Sequence, residues 1–378
     1  MTVENNSVRL RDGEIQVGQA LAWPVYDNAN KLLLREGYVI SSQRQLDLLL
    51  ERGMYRNLTA KELEAQKDNT PLPVEKINPF EIIRAASQRL DQVFQGLESG
   101  SPQVEERILR LVRDILGICT EMPDAAIGAL HLCHETTYTL CHPIHQACLV
   151  TLIGKRLALD EPSTEALVAA ALTANVGMRE LQDQLYKQSS PPTDAQREEI
   201  RLHTLRSSEL LMNAGIRNEL WLNIVRQHHE RPDGSGYPAH LKGDQILDAA
   251  QTLSLADQYC AMLSARADRD PLPPHEQLRT LFMQRGQDFS ETICVALVKE
   301  LGVFPPGTFV RLISGEVGVV VQRGENGIQP IVSTLISPRG GAYARPFRRN
   351  CTDKEFSVKE SVRWQGGPLN LSLIWGFA

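Results

Sequence analysis

The residues best suited to chemistry lie in one stretch, HHERPDGSGYP, from His228 to Pro238. Two adjacent imidazoles offer nitrogen ligands to a transition metal. The loop after them carries Gly234 and Gly236, which cost helix stability but let the backbone come close to a ligand. A histidine pair alone is more often surface polarity than a metal site, so partners from elsewhere in the chain decide the matter. A second concentration lies upstream in HLCHETTYTLCHPIH, where His131, Cys133, His134, Cys141, His142 and His145 fall within fifteen residues. On a continuous helix His134, Tyr138, Cys141 and His145 would share a face, with the ligand types of a zinc site. Against that, the spacing matches no standard finger, and cysteines on helices are usually buried hydrophobes.

The loop resembles the HHExxDGxGYP signature of the HD-GYP family, cyclic di-GMP phosphodiesterases of the HD superfamily. YTLCHPIHQACLV is similar to the first histidine helix of that family, which puts His142 in the first ligand position. RLHTLRSSELL is similar to the later helix that supplies a single histidine, here His203, and LSLADQYCAMLSAR to the segment that ends the ligand set with Asp257. The implied metal ligands are therefore His142, His203, His228, His229 and Asp257. The implied substrate- or partner-binding residues are Asp233, Gly234, Gly236, Tyr237, Pro238 and Arg266. Asp233 would hold the turn, and Tyr237 would offer a ring to guanine or to a partner protein. The resemblance runs from about Tyr138 to Arg266 and implies cyclic di-GMP, or a diguanylate cyclase domain of the GGDEF type, as partner.

The pair that names the family is missing. Where the pattern has His-Asp followed by Gly-Lys, this chain reads ALTANVGM: Ala174 stands for the histidine, Asn175 for the aspartate and Met178 for the lysine, and Gly177 alone survives. Ala267-Asp268 likewise replaces the Pro-Tyr that usually follows Arg266. A two-metal phosphodiesterase must hold its cations about 3.5 to 4 Å apart and neutralise a phosphate. Asn175 offers a neutral amide oxygen to hard cations that favour carboxylates, Ala174 offers nothing, and Met178 brings no charge to phosphate. The expectation is at most one divalent metal (iron, manganese or zinc) on His203, His228 and His229, or none. It makes the chain an inactive or impaired phosphodiesterase that acts by binding a nucleotide or a partner. The alternative is a working phosphohydrolase that recruits Glu180, Asp183 or Glu230 in place of the lost pair. In a third reading the domain is a scaffold with vestigial ligands.

The elements that position these residues are mostly helices. The predicted fold class is mainly α, an all-helical HD-GYP-like domain flanked by a small α+β module at the amino terminus and a small β-rich module at the carboxyl terminus. QALAWPVYD and KLLLREGYVI read as strands around a DNANK turn, with a helix from near Ser42 to Gly53, in a module over 1–60. A polar, proline-marked linker over 61–79 leads to a helical connector over 80–122. There Phe80, Ile83, Leu90, Val93, Phe94 and Leu97, then Ile108, Leu111, Val112, Ile115 and Leu116, recur at helical spacing. The helical domain follows over 123–304, with a capping box at Thr193 and Gln196. The two prolines of VFPPGT end it, and alternating GTFVRL, EVGVVVQ and IQPIVSTL read as strands over 305–378.

Bulk properties narrow the function classes. A formal charge of -6 gives no footprint for a nucleic-acid polymer. Seven cysteines without a C-x-x-C pair argue against a disulfide framework and suit a reducing compartment. No apolar run reaches the roughly 18 residues of a membrane span, and the first residues lack the pattern of a secretory signal. A cytoplasmic location is expected, and a homodimer is compatible with everything above.

Overall fold

The computed structural model describes residues 7–9, 15–27, 31–46, 55–57, 78–101, 103–264, 273–325 and 327–377. They fall into two compact units, 1–77 with 342–345, and 78–341 with 346–378.

The first unit holds an antiparallel sheet of β1 (Ser7–Arg9), β2 (Val25–Tyr26), β3 (Leu32–Leu34) and β4 (Tyr55–Asn57), in the order β1-β4-β2-β3. Ile15, Leu21, Val25, Ile40 and Leu46 form its core. The backbone N–H of Lys31 donates to Asp27 Oδ1 at 2.9 Å. Helix begins at Gln43, and the expected end at Gly53 lies outside the described residues.

The second unit is mainly α. Its helices are α1 (Pro79–Ser99), α2 (Val104–Glu121), α3 (Pro123–Leu132), α4 (Tyr138–Arg156), α5 (Glu161–Thr173), α6 (Arg179–Lys187), α7 (Asp194–Asn213), α8 (Glu219–Gln227), α9 (Asp248–Leu263), α10 (Pro274–Met283) and α11 (Glu291–Leu301). The caps follow from residue type. Asn78 accepts from the Phe80 N–H with Pro79 at the first turn of α1, and Asp160 accepts from the Ser163 N–H to open α5. The Thr193–Gln196 capping box opens α7. The stripe of α1 is buried from Phe80 to Leu97, and that of α2 from Ile108 to Ile115. Both stripes join one continuous core that runs through α4, α5 and α9. Trp221 of α8 is buried there, and its indole N–H donates to Thr173 at 2.9 Å, so burial leaves no orphan donor.

After Leu301 the chain turns through Gly302 and Pro305-Pro306 into a sheet of order β8-β7-β6-β5-β9. Its strands are β5 (Phe309–Leu312), β6 (Val317–Gln322), β7 (Ile331–Ile336), β8 (Ala342–Asn350) and β9 (Val358–Ser361). Alternation along β6 explains why every residue but the last is buried. Val319 and Val321 enter the helical core, while Val320 joins Val310, Leu312, Val332 and Cys351 on the other face. Arg323 ties this sheet to the helices through Asp124 and Glu300, both at 2.5 Å. A short α12 (Leu371–Trp375) seats Trp375 against Gly128 of α3, where a Cβ would lie 2.4 Å from the indole ring. No described helix is long and apolar enough to cross a membrane.

Candidate functional site

Four helices and one loop bring the sequence-predicted ligands together. His203 lies in the middle of α7, His228 caps the end of α8, His229 follows it, and their ring nitrogens all lie within 4.8 Å of one another. The geometry fixes their chemistry. His203 Nδ1 sits 2.5 Å from the Ile200 carbonyl and His228 Nδ1 2.8 Å from that of Val225, and a carbonyl can only accept. Both Nδ1 atoms therefore carry the proton, and both Nε2 atoms are left as lone-pair donors, facing each other at 3.4 Å. Two opposed lone pairs repel unless a cation or a shared proton stands between them. Burial lowers His203 to about 3, with help from the His228 ring, and lowers His228 and His229 as well. The three imidazoles are neutral at ordinary pH, the form that ligates a metal.

The other half of the expected ligand set behaves differently. His142 of α4 lies in direct contact with Asp257 of α9, Nε2 to Oδ1 at 2.9 Å, and Gln146 Nε2 donates to the same oxygen at 2.5 Å. Burial pushes the Asp257 carboxyl up, but the hydrogen bond from His142 and the surrounding imidazoles hold it below the usual carboxylate range. Tyr138, one helical turn before His142, stacks on that ring at 4.7 Å and on Tyr186 of α6 at 4.9 Å. Gln146 and Tyr138 were not among the predicted residues, although their spacing of four on either side of His142 puts all three on one helix face.

At the eroded motif, Ala174 is fully buried and closes the end of α5. Asn175 is 5% exposed, and neither Oδ1 nor Nδ2 has a hydrogen-bond partner among the described residues. A buried amide without a protein partner costs about 1–3 kcal/mol per group unless water or a ligand satisfies it. Gly177 has a packing role. A Cβ there would stand 2.6 Å from the Ser207 nitrogen and 2.8 Å from the His203 carbonyl, so its absence lets the turn Val176–Met178 press onto α7 beside His203. Met178 lines a cavity of about 170 Å³ with His142, His229 and Asp257.

The GYP loop is closed from within. Buried Glu230 accepts from the N–H groups of Ala239 at 2.6 Å and Leu241 at 3.0 Å, one to each carboxylate oxygen, and so holds the two ends of the loop together. That use removes it from the candidates for a replacement ligand. Among the described residues no carboxylate, Glu180 and Asp183 included, joins the histidine triad within 4.8 Å. Asp233 accepts from the Ser235 N–H at 2.8 Å, which settles the turn, and Gly234 has φ +83. At Gly236 a Cβ would meet the Arg231 nitrogen at 2.3 Å, so the loop folds back on itself only without a side chain. Tyr237, half-buried and followed by Pro238, stacks on His229 at 4.9 Å, and burial pushes its hydroxyl pKa up. Gly236, Tyr237 and Pro238 border an open cavity of about 890 Å³, to which Arg201 and Arg231 contribute positive charge beside Asp257. Arg266 lies outside the described residues.

The upstream cluster also assembles, but not on one helix. α3 ends at Leu132 and α4 starts at Tyr138, so His134 reaches Cys141 and His145 from the intervening link, and the three ligand atoms lie within 4.8 Å. Tyr138 turns instead to His142, and His131 is held by the Pro306 carbonyl and the Tyr259 hydroxyl, each at 2.7 Å.

Comparison with known proteins agrees with this picture. A family model described as an HD domain matches residues 133–293. The cyclic di-GMP phosphodiesterase PA4108 of Pseudomonas aeruginosa is 28% identical over 230 residues, covering 61% of this chain and 55% of the relative. The cyclic di-GMP phosphodiesterase response regulator RpfG of Xanthomonas campestris is 28% identical over 232 residues, covering 60% of each. The chain thus spans little more than half the length of these relatives. Among solved structures, the HDG"Y"P protein Bd1817 of Bdellovibrio bacteriovorus superposes with a TM-score of 0.51 at 15% identity, over 77% of this chain and 98% of its own, which shows a shared fold. The chain thus carries a match to an HD domain over 133–293, is similar in sequence to proteins named cyclic di-GMP phosphodiesterases, and shares the fold of an HDG"Y"P protein.

Proposed function

We propose that this chain is a cyclic di-GMP signalling protein that binds the dinucleotide in the cavity beside Tyr237 and hydrolyses it poorly or not at all. The observation that carries the reading is the unequal fate of the two metal positions. The triad of His203, His228 and His229 keeps opposed lone pairs suited to one divalent ion. The second position has Asn175 with an unpartnered amide, no ligand at Ala174, and a His142–Asp257 pair engaged with each other. When bound, a divalent ion would supply Lewis acidity toward a phosphate oxygen. The chain's own residues then bind and orient. Arg201 and Arg231 present charge to the phosphates, and Tyr237, fixed against His229, forms one wall. A volume of about 890 Å³ falls in the range of small-molecule sites. The flanking sheets serve as connectors.

Calorimetry with cyclic di-GMP, paired with a hydrolysis assay in manganese or ferrous iron, tests this. Binding without turnover is expected, and turnover at ordinary enzyme rates, on the order of 1 s⁻¹ or faster, would overturn it. Ala174→His, Asn175→Asp and Met178→Lys made together should raise hydrolysis above the wild-type chain, since the rest of the pocket is in place.

A further inference from the structure

We infer that His134, Cys141 and His145 form a separate metal site that takes a thiophilic cation, zinc above all. The inference is independent of the histidine triad and of any turnover there. Three ligand atoms from two stretches of chain converge within 4.8 Å, two from successive turns of α4 and one from the α3–α4 link. The imidazoles of His134 and His145 meet edge to face at 5.1 Å. His134 is anchored through Nε2 on the His131 carbonyl at 3.2 Å, which leaves its ring a second nitrogen. Ligand histidines are oriented in this way, because the anchored N–H fixes the tautomer and aims the lone pair. Cys141 is 6% exposed and His145 3% exposed. The Cys141 sulfur lies within 4.8 Å of a nitrogen of each imidazole and makes a weak contact of 3.7 Å to the Tyr138 carbonyl.

The ligand set selects the cation. A thiolate with two imidazoles suits zinc and disfavours manganese or magnesium, which prefer oxygen. Binding forms a sulfur–metal bond and releases the Sγ proton to solvent. His134 is exposed, so a cation can enter from that side and a water can fill the fourth position. The bound ion would pin the α3–α4 link to α4 on either side of His142.

Cobalt titration of the full chain, stripped of metal with a chelator, reads this site alone, because thiolate-to-cobalt charge transfer absorbs in the near ultraviolet and the triad has no sulfur. The band should saturate at one equivalent in a His203→Ala, His228→Ala variant, and reach the same final intensity in the wild-type chain, where the triad can take a second ion. Zinc should bleach it and manganese should not. It should vanish in Cys141→Ser, and His134→Ala, a change in an exposed link, should weaken cobalt binding at least about tenfold. No band in the wild-type chain, a band that persists in Cys141→Ser, bleaching by manganese as readily as by zinc, or wild-type affinity in His134→Ala would each overturn the inference.

Discussion

Asn175 concentrates the chemistry of the change into one atom substitution. Its buried amide has no partner, so Asn175→Asp would put an uncompensated carboxylate at the same place. We expect the metal-free variant to lose roughly 2–4 kcal/mol and to regain most of it with manganese. Denaturant unfolding with and without the metal checks this, and a variant indifferent to manganese would speak against a ligand position there. The triad sets a pH dependence. The folded-state pKa of His203 is lowered from 6.5 to about 3, and those of His228 and His229 fall in the same direction. Between those values the unfolded chain binds more protons than the folded one. The stability these groups contribute is therefore full above about 6.5 and declines as pH falls toward about 3. Thermal unfolding of the metal-free chain should shift downward on acidification through that window, and His203→Gln should flatten the slope. In the loop, Gly236→Ala should cost roughly 2–4 kcal/mol, because its Cβ would collide with backbone rather than with a movable side chain. An unchanged melting temperature would show that the loop has another closed form.

Elements decide which ligands meet. The turn at Val176–Met178 reaches α7 only because Gly177 has no side chain, so Gly177→Ala should push α7 outward and loosen His203. Manganese affinity is expected to fall at least about tenfold in that variant. The apolar stripes of α1 and α2, the capping box of α7 and the eleven-residue loop were readable from spacing, because each is a local pattern. What stayed hidden was set by partners far along the chain. The direct contact between His142 and Asp257 joins residues 115 apart, and nothing local shows that they hold each other. Glu230 belongs to the loop signature and was the weakest substitute ligand in sequence, and the return of the chain at Ala239 and Leu241 shows that both its oxygens are engaged. His134 was placed on the same helix as Cys141, but the helix break at Cys133 carries it there from the side. The missed Gln146 and Tyr138 did leave a signal, since both sit at a spacing of four from His142.

For the molecule as a whole, one core serves both the helices that hold the site and the sheet that follows them. Arg323 joins these layers through Asp124 and Glu300, so Arg323→Ala would leave Asp124 without its cation and Glu300 with Arg156 alone, and should cost about 1–3 kcal/mol. Loss of the His-Asp pair leaves this framework intact, as Ala174 packs at the end of a buried helix and Gly177 still seats α7. In the proposed reading this fold holds a pocket with room for one ion at His203, His228 and His229. Electron paramagnetic resonance of the full chain saturated with manganese examines this directly. An uncoupled, single manganese signal is expected. The signature of a spin-coupled pair, with ions about 3.5 to 4 Å apart, would contradict it.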